Sequence, residues 1–258
     1  RASAWNMFEG LEILSKVSGG YPAYIGRGFS KLSDNDQGLP AELNPAYYST
    51  CVKECWYVSP TMEGWWFESD TSSDEMAGHM AALPVLYDLV AETLDEKARV
   101  LALIDGVMSG IVDNDLYLID PMTGKPTMWG VWNPKEMNHN ADRYSERGTN
   151  SVQILGWLAG VYSITGNTKY LDTFWDLVKN HKYIQNTLNA KIDSAIDENH
   201  CDTELVMLAY HALFYAYQRL PEGHERKEEL LSMVSLIVPS LERTFLLAKG
   251  ELHPIWMG

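Results

Sequence analysis

The densest run of reactive side chains in this 258-residue sequence is Trp65-Trp66-Phe67-Glu68-Ser69-Asp70-Thr71-Ser72-Ser73-Asp74-Glu75, followed by His79. Glu75 and His79 are four residues apart, which on a helix puts them on one face within hydrogen-bonding range. Asp74 and Glu75 would fall in a first helical turn, where free amides and the helix dipole favour an anion. Such a setting is expected to lower a carboxyl pKa, which suits a metal ligand or a base better than a general acid. The structural account of the same residues is simpler. Glu75 completes a capping box with Ser72, Asp74 is a favourable first-turn charge, and His79 is a core histidine.

A second cluster is Trp129-Gly130-Val131-Trp132-Asn133-Pro134, then Asn138-His139-Asn140, then Tyr144 and Glu146-Arg147-Gly148-Thr149-Asn150. Trp129 and Trp132 are expected on one side of a strand, as a stacking platform for sugar rings or as a patch of core. Trp65 and Trp66 are candidates for the same binding role. His139 falls in a polar loop, where a core role is less natural. Arg147 at a helix start opposes the dipole, so an acidic partner is expected, either a protein carboxylate or a uronic acid. The third cluster is Asn199-His200-Cys201-Asp202-Thr203-Glu204, with cap-forming residues beside a titratable histidine. If the three helix starts converge, Asp74, Glu75, His79, Arg147, Asn150, His200, Asp202 and Glu204 surround one cavity. That set suffices for acid–base work on a glycosidic bond or for a divalent metal site.

The elements that must position these residues are mostly helices. Apolar side chains at Met7, Leu11, Leu14 and Val17 recur at helical spacing and stop at Gly19-Gly20. Residues 19 to 71 show no sustained periodicity and are read as a long functional loop. A helix follows Ser72 to about Glu92, where Pro84 should kink it or open its hydrogen-bond ladder. Another opens at Asp95. Leu116 to Ile119 and Thr127 to Trp132 flank Met122-Thr123-Gly124-Lys125, a β-hairpin signal. Residues 133 to 149 read as loop, and helices resume at about 150–164, 168–181, 202–219 and 225–248. No alternation of strand and helix argues for a parallel sheet. Three helices open with a polar cluster and run into apolar sequence, as stacked helical hairpins with a common starting face would.

Nine tryptophans and fourteen tyrosines suit both sugar-binding clefts and ordinary cores. A net charge of −15 argues against nucleic acid and against an anionic membrane surface. It leaves room for an anionic polysaccharide held by a local basic patch. No apolar run approaches the roughly 20 residues that span a bilayer. Cys51 and Cys55 are spaced to close a small loop disulfide in a secreted protein, with Cys201 left over; three free thiols are the alternative. The chain opens on Arg1 and ends just after the apolar Pro254-Ile255-Trp256-Met257, so a piece of a longer protein is expected.

Four segments carry a resemblance to a known family. They are Ser69-Asp70-Thr71-Ser72-Ser73-Asp74-Glu75 with Gly78-His79, Trp129-Gly130-Val131-Trp132 with Pro134, Glu146-Arg147-Gly148 with Asn150-Ser151, and Asn199-His200 with Asp202 and Glu204. They resemble a largely uncharacterised family of bacteria and some eukaryotes, found often within large secreted proteins. Its fold is similar to the six-hairpin glycosidases and the (α/α)-toroid polysaccharide lyases. The resemblance runs from about Phe8 to Trp256 and implies an all-α, incomplete (α/α) toroid with one small β-hairpin insertion, a single domain over residues 1–258. About seven helices are read where a complete toroid has twelve. It also implies either paired carboxylates, as in toroid hydrolases, or a Tyr or His base with Asn, His or Arg neutralising a uronate, as in the lyases.

The expected function is therefore a secreted or extracellular carbohydrate-active domain acting on a polysaccharide glycosidic bond. In a lyase His79, His139 or Tyr144 would be the base, with Arg147 and Asn150 holding the uronate. In a hydrolase Asp74 or Glu75 would face Asp202 or Glu204. The alternative is a non-catalytic module that binds glycan or a neighbouring domain of the same protein. A Gly-rich phosphate loop, a Gly-x-Ser-x-Gly elbow and a His-Glu-x-x-His helix are all missing from the sequence, which lowers phosphate, serine-hydrolase and zincin readings.

Overall fold

A computed structural model describes residues 1–31, 55–190 and 200–248, with backbone only at residues 200, 201, 247 and 248. The described residues are mostly helical, with nine α-helices and little strand. They form two compact units, residues 1–131 and 132–258, each described by itself.

The first unit opens with helix α1 (Ala2–Val17). The stretch read as one long loop contains a three-stranded antiparallel sheet of β1 (Gly28–Lys31), β2 (Trp56–Val58) and β3 (Trp65–Glu68), with β3 in the middle. Strands of three or four residues are too short to show a period, which is why the sequence reads as irregular there. Register pairs Phe29 with Phe67 and Lys31 with Trp65 across the sheet. Helix α2 (Ser73–Val85) starts on the expected capping box of Ser72 and Glu75. Past Pro84 the ladder opens into a π segment, Leu86–Val90, the disturbance that proline was expected to cause. Helix α3 (Leu94–Asp113) begins on a second capping box, Thr93 with Glu96. The expected hairpin follows as β4 (Tyr117–Ile119) and β5 (Pro126–Val131).

The second unit begins where the sequence reads as loop. Asn133 accepts from the Lys135 amide and Pro134 occupies the first turn, so a short helix α4 (Pro134–His139) forms instead. Helix α5 (Arg147–Thr165) is buried at every residue from Gly148 to Val161. Its run Val152-Gln153-Ile154-Leu155-Gly156-Trp157-Leu158-Ala159 is apolar nearly all round, as an interior helix requires. Gly166, with φ of 66°, turns the chain into α6 (Thr168–Asn180). Then come α7 (Tyr183–Leu188), which the sequence reading lacks, α8 (His200–Arg219) and α9 (Glu225–Ala248).

Helices α8 and α9 make an antiparallel hairpin. Lys227 Nζ donates to the Leu220 carbonyl beside the turn, and the Tyr210 hydroxyl reaches Ile237 O and Ser240 Oγ, both at 2.6 Å, ten residues further along. Helices α5 and α8 run parallel. A Cβ on Gly156 would lie 2.5 Å from the Ala209 carbonyl oxygen, and both residues are tenth in their helices. Near the far ends, Arg219 Nη1 donates to the Ser163 carbonyl. Two points of contact in the same order fix the direction, so Arg147 and Asp202 begin their helices at the same end of this unit.

Candidate functional site

At the start of α2 the polar residues engage one another. Glu75 Oε2 accepts from the Ser72 amide and hydroxyl, both at 2.6 Å, while Oε1 pairs with Arg27 Nη2 at 2.9 Å. Arg27 Nη1 also donates to the Asp70 carbonyl. The expected Glu75–His79 bond is not made: Glu75 is taken by its cap and by Arg27, and His79 Nε2 is buried with no partner. Burial drives the His79 imidazole down to about 4, against a smaller opposing pull from the Glu75 charge, so it is neutral near pH 7. Asp74 departs from the expectation in the opposite sense. Desolvation raises its pKa, ahead of the Ser73 hydroxyl bond that lowers it, so Asp74 suits a general acid better than a metal ligand.

The loop leading into α2 is held by Asp70, which belongs to the first cluster, and by Asp120 and Arg27, which the sequence reading did not single out. Asp70 adopts a left-handed φ of 60°, and its Oδ1 accepts from the Met128 amide at 2.7 Å. Buried Asp120 accepts three backbone amides, from Asp70 at 3.0 Å, Met122 at 2.8 Å and Thr123 at 3.1 Å. Together they fasten the β3–α2 loop to the β4–β5 hairpin. Asp120 followed by Pro121 is a turn signal that could have been found; Arg27 in Gly26-Arg27-Gly28 offers none. Next to this latch Thr71 donates its amide to the Tyr24 hydroxyl at 3.0 Å. Burial, assisted by the Asp120 charge, raises the pKa of that phenol.

The tryptophan candidates separate. Trp65 and Trp66 are consecutive on β3, so strand alternation sends them to opposite faces. Trp66 is buried, whereas Trp65 is half-exposed, packed 5.4 Å from Phe29, with Lys31 Nζ 5.1 Å over its ring. Trp129 and Trp132 are three positions apart, an odd offset that places no shared side on a strand. Trp129 is 37% exposed on β5, whereas Trp132 is fully buried, edge-on to Trp157 at 5.0 Å with its indole N–H on Gln153. Trp66 and Trp132 are therefore core residues, not a sugar platform.

At the start of α5 the arrangement is different. Glu146 occupies the cap position without capping through its side chain, and its carboxylate turns to Arg143 at 3.1 Å. The first turn holds no acidic residue. The Arg147 guanidinium lies 5.4 Å from the ring centre of Tyr144, which is 67% exposed. The acidic protein partner expected for Arg147 is not found among the described residues; an aromatic face takes its place. Arg147 Nε and the hydroxyl of Ser151, one turn on, are buried without partners. Asn150 is buried, and His139 is exposed at the end of α4.

At the neighbouring start of α8, Asp202 is half-exposed, Glu204 is exposed, and Thr203 is buried with an unpartnered hydroxyl. The backbone of His200 is helical; its side chain, like that of Cys201, lies outside the described residues, as does Asn199. The starts of α5 and α8, with Arg147 and Asp202, thus share one end of the second unit. Asp74, Glu75 and His79 belong to the first unit. Among the described residues no three His, Cys, Asp or Glu side chains are grouped to hold a metal ion. Cys55 is buried and disulfide-bonded; Cys51 lies outside the described residues. Among the described residues no helix is long and apolar enough to cross a membrane. No protein family, curated protein or solved structure matches the chain.

Proposed function

We propose that the chain is a carbohydrate-active domain acting on the glycosidic bond of an acidic polysaccharide, by elimination rather than hydrolysis. The observation that carries this reading is the stack of Arg147 on the exposed Tyr144 ring at the start of α5. A uronate needs a cation to neutralise its carboxylate and a base near C5, and here a guanidinium lies 5.4 Å from the centre of an exposed phenol ring. Arg147 holds the carboxylate, with the helix dipole adding to the attraction. The Tyr144 oxygen takes the C5 proton and passes it to the departing oxygen as the C4–O bond breaks and a C4=C5 double bond forms, so the phenolic group ends as it began. Asn150, buried in the first turn of α5, acts as a positioning residue. The hydrolytic version is weaker, because Glu75 is already engaged by Ser72 and Arg27.

The parallel first helices of the two hairpins α5/α6 and α8/α9 suit an arc of an incomplete (α/α) toroid. The disulfide at Cys55 suits an oxidising, extracellular setting. One observation favours the alternative, a non-catalytic glycan-binding module: Trp129 is 37% exposed on β5, where its ring can stack on a sugar. The test is turnover of acidic and neutral polysaccharides, following reducing ends and the ultraviolet absorbance of unsaturated products together. Both signals on a uronate polymer, lost in Tyr144→Phe, are expected. Reducing ends without absorbance would return the hydrolase. Silence in both channels with glycan bound would leave the binding module.

A further inference from the structure

The second unit carries a groove of about 430 Å³ between α6, α7 and α9, remote in kind from the polar helix starts. Its walls are apolar, chiefly Trp175, Ile184, Met233 and Leu236, and its charged groups are the carboxylates of Glu228 and Glu229. The side chains that line it are not basic, although Lys179 lies over the Trp175 ring and Arg226 pairs with Glu229. The volume lies within the roughly 300–1,000 Å³ of ligand clefts.

Three observations define what fits. Leu236 is 62% exposed, a large apolar surface facing water beside the equally apolar Met233. The Trp175 ring already attracts a cation, with Lys179 Nζ 5.2 Å from its centre. Glu229 is paired with Arg226 at 2.8 Å, whereas Glu228 is exposed and has no ion-pair partner among the described residues. Apolar walls, an aromatic face and a carboxylate are the complement of one chemical class.

We propose that this groove binds an organic ammonium ion with an alkyl or aromatic body. The body lies against Ile184, Met233 and Leu236, and the ammonium is held between the Trp175 ring and the Glu228 and Glu229 carboxylates. An anion of the same shape is repelled by those carboxylates. The site does not depend on the carbohydrate reading, since it uses none of the same residues.

The test compares two probes with one tail and opposite heads, octyltrimethylammonium and octyl sulfate, on the intact chain. The readout is the indole N–H resonance of Trp175, assigned by its loss in Trp175→Phe. Saturable shifts with the cation and none with the sulfate are expected. Glu228→Gln with Glu229→Gln should weaken the cation about tenfold, and Leu236→Lys, at an exposed position that tolerates charge, should abolish binding by removing an apolar wall and repelling the ammonium. Equal binding of both probes, no shift with either, or full affinity in the double glutamine variant would each overturn the proposal. The comparison of head groups on the unaltered protein stands even if a variant fails to fold.

Discussion

The starts of α2 and α5 have similar sequence, a polar cluster running into apolar helix, yet their polar groups are used differently. At α2 the Ser72–Glu75 box, the Arg27 pair and the Asp70–Asp120 latch engage most of the polar groups, while Asp70 Oδ2 and His79 Nε2 stay buried without partners. At α5 the cap position contributes no side-chain cap, and the Nε of Arg147 and the Ser151 hydroxyl are buried without partners. A buried unpartnered polar group costs about 1–3 kcal/mol, so groups left in that state are better candidates for binding something else. Polar residues at a helix start are ambiguous until their partners are known.

The largest effect that would sharpen this contrast is catalytic. Tyr144→Phe should reduce elimination about 10²- to 10⁴-fold, the usual size of a lost general base, with unfolding free energy nearly unchanged because the ring is exposed and retained. Equal turnover in the variant would erase the functional side of the comparison.

Acid stability tests the other side. His79 is held at about 4 when folded against 6.5 when free. Between these values the unfolded chain binds the proton and the folded one does not, so stability rises with pH across that window. It is lost as the pH falls from about 6.5 towards 4, by up to about 3 kcal/mol, and above the window His79 contributes no slope. Urea unfolding across this range should show the loss, and His79→Leu should flatten it. Asp74, whose raised pKa acts in the opposite direction, is present in both proteins and cancels in the difference. An unchanged slope in the variant would mean that His79 is accessible rather than enclosed.

Glu75→Gln should do the converse of Tyr144→Phe. It weakens the cap and leaves Arg27 without its carboxylate, a loss of about 1–2 kcal/mol, while turnover on the best polysaccharide stays the same. Chemical denaturation and the coupled assay on one preparation decide it. A collapse of turnover with stability intact would make the α2 start the working site and restore the hydrolase.

Much of the helical framework was legible because long periodic segments announce themselves. The capping box at Ser72, the hairpin around Gly124 and the α5 to α9 helices except α7 follow from pattern and turn chemistry. The sheet, α4 and α7 were not, since three- to six-residue elements carry too little period to read. The site was legible as residue types but not as roles. Spacing put Glu75 and His79 on one face, but it carried no sign of Arg27, which lies 48 positions earlier and takes the Glu75 carboxylate. The tryptophans illustrate the same limit, because adjacent positions on a strand share neither face nor exposure.

The smallest test concerns the geometry that brings Arg147 and Asp202 to one end. Gly156 and Gly160 both lie in buried α5, one turn apart. A Cβ at Gly156 would meet the Ala209 carbonyl oxygen at 2.5 Å, and a backbone atom cannot swing aside as a side chain can. At Gly160 nothing lies within 4 Å. Replacing either glycine by alanine gains about 0.5–1 kcal/mol of helix propensity, but at position 156 the collision outweighs it. Gly160→Ala should therefore stabilise and Gly156→Ala destabilise by about 1 kcal/mol net, read from urea midpoints. If both stabilise alike, α5 and α8 do not touch at Ala209. Their parallel course would then lose one of the two contacts that define it, and the placing of Asp202 at the same end as Arg147 would go with it.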